Sequence, residues 1–394
     1  MSVSPRGPFA KRGAALIAIA ATVGLAACSS SSSGGGQPAA NAAASGTAGA
    51  GLAYAKAEVA KYSTASAPPA VTPLTHAPDL KGKTVWFIPF IDTVPVQSTT
   101  GTAMAAALGK LGATVHTCDG GALPTTMASC MNEAVSQHAY AVVTAFIDYD
   151  LVPAGFQALE KAHIPVLIGG ATPTGGATSS TAMAFFDTTQ FSNFRSRLAG
   201  DLAIADSNGK GDILVTELTD SSVTSAAAQN TLDELKARCP DCTVHTIQVK
   251  SADISKYPAA VSSALASDPN IGYLVTPLDT YDTQALAGIR SAGFGSKVKI
   301  VTLGADLSGM QEVAAGTTLA DISNSVVYMG WDFANALLEL LSGKLPGPMT
   351  DATMRIFEKP NVSQLKLTPA EYSTNDWYGS DSMEQSFLTA WGVK

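Results

Sequence analysis

Charge is scarce in this chain: 14% of its 394 residues are Asp, Glu, Lys or Arg, while 46% are hydrophobic. The 24 basic and 32 acidic residues are spread out and leave a net charge of -8, which argues against a nucleic-acid partner, because phosphate contacts need clustered Lys and Arg. The sequence also lacks a Gly-x-Gly-x-x-Gly turn after its first apolar strand and has no glycine-rich loop ending in Lys-Ser/Thr. Without such glycines the backbone cannot approach a pyrophosphate, so a nucleotide cofactor is not expected. No Gly-x-Ser-x-Gly elbow is present. The five histidines (His76, His116, His138, His163 and His245) fall in a linker, at strand edges or at helix ends, and read as solvated residues rather than general bases. No His or second Cys pair stands at zinc-ligand spacing. These absences leave a chain expected to hold no cofactor and no metal and to catalyse nothing.

What is present begins with an address. Arg6, Lys11 and Arg12 precede an apolar run, Ala14–Ala26, that is too short to span a bilayer. The run closes on Leu25-Ala26-Ala27-Cys28, which resembles the bacterial lipobox. Residues 1–27 are therefore expected to be a lipoprotein signal peptide, with the Cys28 thiol carrying a diacylglycerol. Ser29–Ala50 is dominated by Ser, Gly and Ala and is expected to be a flexible tether, with a short helix at Tyr54–Tyr62. Pro68, Pro69, Pro73 and Pro78 extend this lipid-anchored linker, residues 28–80, to the folded region near Lys81.

Four more cysteines follow in an exported, disulfide-permissive chain. Cys118 ends a predicted strand, Cys130 lies on the apolar face of the next helix, and Cys239-Pro240-Asp241-Cys242 closes a later helix. A redox-active pair would sit at a helix N-terminus, where the dipole favours thiolate. The observed placement favours two local structural disulfides.

From Val85 the chain alternates strand and helix. Val85–Phe90 has strand length and leads through Pro89–Gln97 to a helix capped near Ser98 and Thr99, with Met104, Ala107, Leu108 and Leu111 on one face. Ala113–Cys118, Ala141–Phe146, Pro165–Ile168 and Met183–Phe186 complete a first block of strands. Asp212–Glu217, Thr243–Val249, Ile271–Thr276, Lys299–Leu303 and Thr318–Ser323 form a second. Two βα blocks predict two doubly wound parallel-sheet lobes with a cleft between them, and ligands in such sheets bind beyond the strand C-termini. The strand ends supply Phe90 and Asp92, Phe146 and Asp148, Phe186 and Asp187, Asp220 and Ser221, Asp279, Asp306 and Asn324. Aromatic faces beside carboxylates and amides suit a closing cleft that holds a solute without chemistry.

This pattern resembles the type I periplasmic solute-binding proteins of ABC importers, the ribose-binding group. The likeness is carried by the unit Val85–Gly112, by Ala162-His163-Ile164-Pro165-Val166, and by Phe186-Asp187-Thr188 before a helix. Ile271–Asp279, Ala292-Gly293-Phe294 and Leu319–Asn324 before the helix Val327–Leu341 add to it. The resemblance implies an α/β fold with a three-segment hinge near Asp187, Asn324 and Met354. It implies a first lobe of residues 81–187 plus 325–353 and a second of residues 188–324 plus 354–394, with each cysteine pair inside one lobe. It further implies a monomer, anchored to the outer face of the bacterial cytoplasmic membrane, that delivers a small molecule to an ABC permease. The same fold would serve a binding protein that reports its ligand to a membrane sensor, and an exported α/β hydrolase is the weakest reading because the nucleophile elbow is missing. The family's sugar clamps are altered here. An Asp-Arg pair is replaced by Gly170-Ala171, Ala228 and Gln229 stand where an Arg is expected, and Ile91 and Gln97 flank Asp92 in a largely apolar first loop. Fewer bidentate donors imply a ligand poorer in hydroxyls than a free hexose, more apolar or aromatic in part.

Overall fold

The computed structural model describes residues 39–393, apart from residues 68, 221, 350–352, 380 and 381. The expected signal peptide and Cys28 lie outside the described residues. No helix among the described residues is long and apolar enough to cross a membrane.

The first described element, α1 (Ala39–Tyr62), contains the helix expected at Tyr54–Tyr62 and extends it back over residues 39–50 of the expected tether, whose residues 29–38 lie outside the described residues. Its small residues do not leave it loose; they let it lie close on the body. Gly51 sits so near the backbone carbonyl of Arg238 that any Cβ there would clash. Ala55 is fully buried, and the Arg238 guanidinium lies 3.5 Å from the centroid of the Tyr54 ring.

The first lobe then assembles from β1 (Thr84–Pro89), α2 (Pro95–Gly109), β2 (Thr114–Thr117), α3 (Pro124–Ser136), β3 (Ala141–Ala145), α4 (Pro153–Lys161), β4 (Val166–Gly169) and β5 (Met183–Phe186). Its strands run in the order β2-β1-β3-β4-β5, all parallel. Helices cover both faces, so β3, β4 and β5 are buried at every position and read as continuous apolar runs. The helix α2 starts three residues before the expected Ser98 cap. Pro95 opens it, because a proline at the first helical position has no N–H to satisfy and its φ already suits a helix.

The second lobe contains α5 (Thr189–Asp206), β6 (Asp212–Leu218), α6 (Ser222–Arg238), β7 (Thr243–Val249), α7 (Tyr257–Ser267), β8 (Tyr273–Val275), α8 (Asp282–Ser291), β9 (Lys299–Leu303), α9 (Leu307–Ala315) and β10 (Ala320–Ser323). The chain returns to the first lobe as α10 (Val326–Leu341), which packs on α2, and comes back as β11 (Arg355–Glu358). The second sheet runs β11-β10-β9-β8-β6-β7, with β11 antiparallel to β10. Three passages between the lobes run side by side: the Met349 amide donates to the Asp187 carbonyl, and the Ser325 amide to Thr353 Oγ1.

Residues 354–394 were expected to stay with the second lobe; β11, α11 (Lys359–Val362) and the buried Trp377 and Tyr378 do, while the last helix leaves it. After α11 and α12 (Pro369–Tyr372), α13 (Ser382–Trp391) packs on α10. Trp391 stacks on Trp331 at 5.6 Å, and its indole N–H donates to Asn335. The aromatic face of α10 is large enough to need this cover. The linker joins the same edge, where the Leu74 amide donates to the Ala390 carbonyl.

Both expected disulfides are formed: Cys118–Cys130 in the first lobe, and Cys239–Cys242 after α6 in the second.

Candidate functional site between the lobes

Loops that follow the parallel strands of the two sheets meet between the lobes, as the hydrogen bonds of Ser222, after β6, to Asp148, after β3, show. On the first-lobe side Phe90 and Ile91 follow β1. The Ile91 amide donates to the Gln97 side-chain oxygen, so Gln97 is buried and fixes the loop. The Asp92 amide donates to Asp119 Oδ1. Burial, and then the nearby Asp119, raise the Asp92 carboxyl above the usual range. Phe146, at φ 60°, takes a strained left-handed conformation directly after β3. Gly170, at φ 73°, makes room for it, since a Cβ there would come within 2.6 Å of the Phe146 ring. Gly170 therefore supports an aromatic wall.

Asp148 joins this wall to the other lobe. The Ser222 hydroxyl, at the start of α6, donates to both carboxylate oxygens at 3.0 Å. Burial raises the Asp148 carboxyl, and hydrogen bonds from Ser222 pull it back down. This contact bridges the cleft, so the lobes are closed on one another here.

The second-lobe wall is acidic. Asp279 follows β8, Asp306 caps α9 after β9, and Asp321 lies within β10; all three are buried. The Asp306 amide donates to Asp279 at 2.6 Å, and the Ala305 amide to Asp321 at 2.9 Å. Ala305 is itself left-handed, at φ 49°. Burial raises Asp279 well above the usual carboxylate range, with Asp321 and Asp306 adding repulsion. Burial likewise raises Asp321, and the Arg195 cation opposes it. Arg195 projects from α5 toward Asp321 and Asp279, which oppose the downward pull of burial on its guanidinium. Arg195 Nε and Asp321 Oδ1 are both buried without a hydrogen-bond partner among the described residues. An unpaired buried donor and an unpaired buried acceptor are each costly, and a hydroxyl supplied from outside would relieve them.

The remaining expected site residues divide. Asn324 is buried at the hinge and donates to the Ser325 carbonyl. Asp187 accepts the Thr189 amide at 2.7 Å, so it turns the chain into α5. Phe186 is a core residue, edge-on to Phe333 at 5.5 Å. Asp220 is exposed and accepts from the Ser251 amide and hydroxyl, tying two loops of the second lobe. Gln229 is exposed on α6 and donates to Asp233, away from the cleft walls. Ser221 lies outside the described residues. Sequence reasoning missed Arg195, Asp321 and Ser222. Arg195 carried a signal: it stands four residues after Phe191 and three before Leu198, on the apolar stripe of its helix, where an unpaired cation is out of place.

Away from the cleft, His245 lies 3.0 Å from Asp212 and 3.4 Å from Asp268, at the opposite end of the second sheet. The histidine is part-buried in a carboxylate pair rather than freely solvated, as the sequence had suggested.

Comparison with known proteins decides the family. A family model described as the periplasmic binding protein domain matches residues 85–345, well over half of the chain. The chain belongs to that family. Solved structures agree in fold. A solute-binding protein of an ABC transporter from Agrobacterium vitis, bound with alpha-D-tagatopyranose, has a TM-score of 0.63 at 16% identity, covering 73% of this chain and 97% of its own. The Caulobacter myo-inositol binding protein, bound to myo-inositol, gives 0.62 at 17%, covering 75% and 98%. A Mycobacterium smegmatis protein in complex with beta-D-fucofuranose gives 0.62 at 16%, covering 74% and 96%. No curated protein sequence matches. The fold is that of the type I periplasmic binding proteins, two parallel-sheet lobes around a cleft.

Proposed function

We propose that the chain is an extracytoplasmic solute-binding protein that captures a small sugar-like molecule with one apolar face, and that it hands this solute to an ABC permease. Cys28 would carry the lipid that keeps it at the outer face of the cytoplasmic membrane. The observation that carries the reading is that Arg195 Nε and Asp321 Oδ1 are each buried without a hydrogen-bond partner among the described residues, on side chains whose charges interact. Ligand hydroxyls can accept from the guanidinium and donate to the carboxylate. Phe90, Ile91 and Phe146 offer hydrocarbon to the other side of the same ligand. That balance keeps the polyol class suggested by the sugars and inositol bound in the related structures, and it explains why the usual clamp positions could become Gly170 and Ala171. Asp279 and Asp306 would complete the polar edge. The protein acts as a monomer, by hinge closure and without turnover.

A thermal-shift screen tests this reading, using D-tagatose, D-allose, D-fucose, allitol and myo-inositol beside aromatic acids. A ligand at a hundredfold excess over its Kd stabilises by about 2.7 kcal/mol, seen as a rise of a few degrees in Tm. Stabilisation by at least one polyol is expected. Stabilisation by aromatic acids alone would contradict the sugar-like class.

A further inference from the structure

The family match ends at residue 345, and α12 lies beyond it. Yet α12 carries Tyr372 into the space between the lobes. The Tyr372 ring packs against the core cluster that holds α2 and α10 and also against the cluster of Met310, Val313 and Phe357. Its hydroxyl faces Thr99, in the first turns of α2 on the first lobe, and is within electrostatic reach of Asp279, Asp306 and Asp321 on the second. That hydroxyl is buried and completes no hydrogen bond of ordinary geometry. Thr99 is its one hydrogen-bonding neighbour, in poor geometry, so a buried phenol beside the strand-end carboxylates keeps hydrogen-bonding capacity for a ligand.

The segment that presents Tyr372 is built to hold it still. Thr368 caps α12 by accepting the Glu371 amide at 3.2 Å. The Trp377 indole N–H donates to the Lys366 carbonyl at 3.1 Å, and Arg355 of β11 donates to the Trp377 carbonyl. Trp377 and Tyr378 are buried, and Tyr378 stands edge-on to Phe357 at 5.2 Å. A segment that merely trailed over the surface would need none of these ties.

We infer that the C-terminal segment completes the ligand cleft, with the Tyr372 hydroxyl contacting the bound solute and helping to select it. The inference rests on the solute-binding reading and adds a residue that the matched domain does not contain. The outcome opposed to it is a segment that blocks the cleft, in which case removing the phenol would free the site.

The test is calorimetric titration of the wild-type chain, Tyr372→Phe and Tyr372→Ala with D-tagatose, D-allose, D-fucose, allitol and myo-inositol, with the Tm of each ligand-free protein as a control. Losing one neutral hydrogen bond weakens binding by about 3- to 10-fold. The expected result is that loss in Tyr372→Phe, with the ligand-free Tm unchanged. Tyr372→Phe deletes only the hydroxyl, so it keeps the test decisive if Tyr372→Ala folds poorly. Wild-type affinity retained in Tyr372→Phe, or tighter binding in either variant, would overturn the inference while leaving the solute-binding reading intact. A wild-type chain that binds none of the five polyols overturns the sugar-like reading, and the inference with it.

Discussion

Asp148 and Ser222 form a direct polar link across the cleft, at 3.0 Å to each carboxylate oxygen. A hydrogen bond to a charged group contributes about 1.5–3 kcal/mol where solvent is excluded, and less for a part-exposed pair such as this one. Ser222→Ala is therefore expected to weaken solute binding about 3- to 10-fold by calorimetry, because the closed state loses its latch. Unchanged affinity would show that closure does not draw on this bridge. The same scale shows what could be read in advance. The positions of Asp279 and Asp306 at the strand ends were legible because a carboxylate just past a parallel strand stands at the end of the sheet where such folds place ligands. Gln229 was misplaced because a motif position fixes a residue's place along a helix, while its direction depends on how the helix rolls against the sheet. Asp321 stayed hidden inside β10, where every position is buried and a lone acid reads as part of the strand.

At the scale of elements, α1 shows why composition alone misleads. A stretch rich in Ala and Gly lacks the apolar side chains of a core, but its smallness lets it approach α5 and α6 closely. Beneath it Asp201 is buried and is pushed up to about 7, first by burial and then by the nearby Glu234. The unfolded carboxyl titrates near ~3.9, so the folded state binds the proton more tightly. Stability from this group is full below about pH 4 and is lost as pH rises through about 7. Wild-type protein is expected to melt higher at pH 5 than at pH 8, and Asp201→Asn to raise the Tm at pH 8 and flatten the difference. An equal pH slope in the variant would remove Asp201 from the account. The two disulfides differ in the loops they close. Cys118–Cys130 closes a loop of sequence separation 12, worth about 3 kcal/mol in the chain-entropy picture, whereas Cys239–Cys242, at separation 3, constrains far less. Replacing the first pair by Ser should lower Tm by several degrees, and replacing the second should lower it much less. Equal losses would contradict that ranking.

At the scale of the molecule, the alternation of strand and helix was enough to read two parallel-sheet lobes, because buried strands and amphipathic helices repeat their periods locally. The linker and the C-terminal segment were not readable in the same way. Their positions depend on surfaces that exist only once the lobes have formed: the aromatic face of α10 that α13 covers, and the edge where Leu74 meets Ala390. These additions bind to both lobes beside the three hinge passages, so opening must move them too. The central claim is that this body encloses a small polyhydroxylated solute between Arg195, Asp321 and the Phe146 wall. Its most direct test is mass spectrometry of the small molecules released when the purified full chain is denatured. The account predicts one small polyol or sugar at close to one per chain. Release of a nucleotide or a lipid at that stoichiometry, with no polyol, would contradict it.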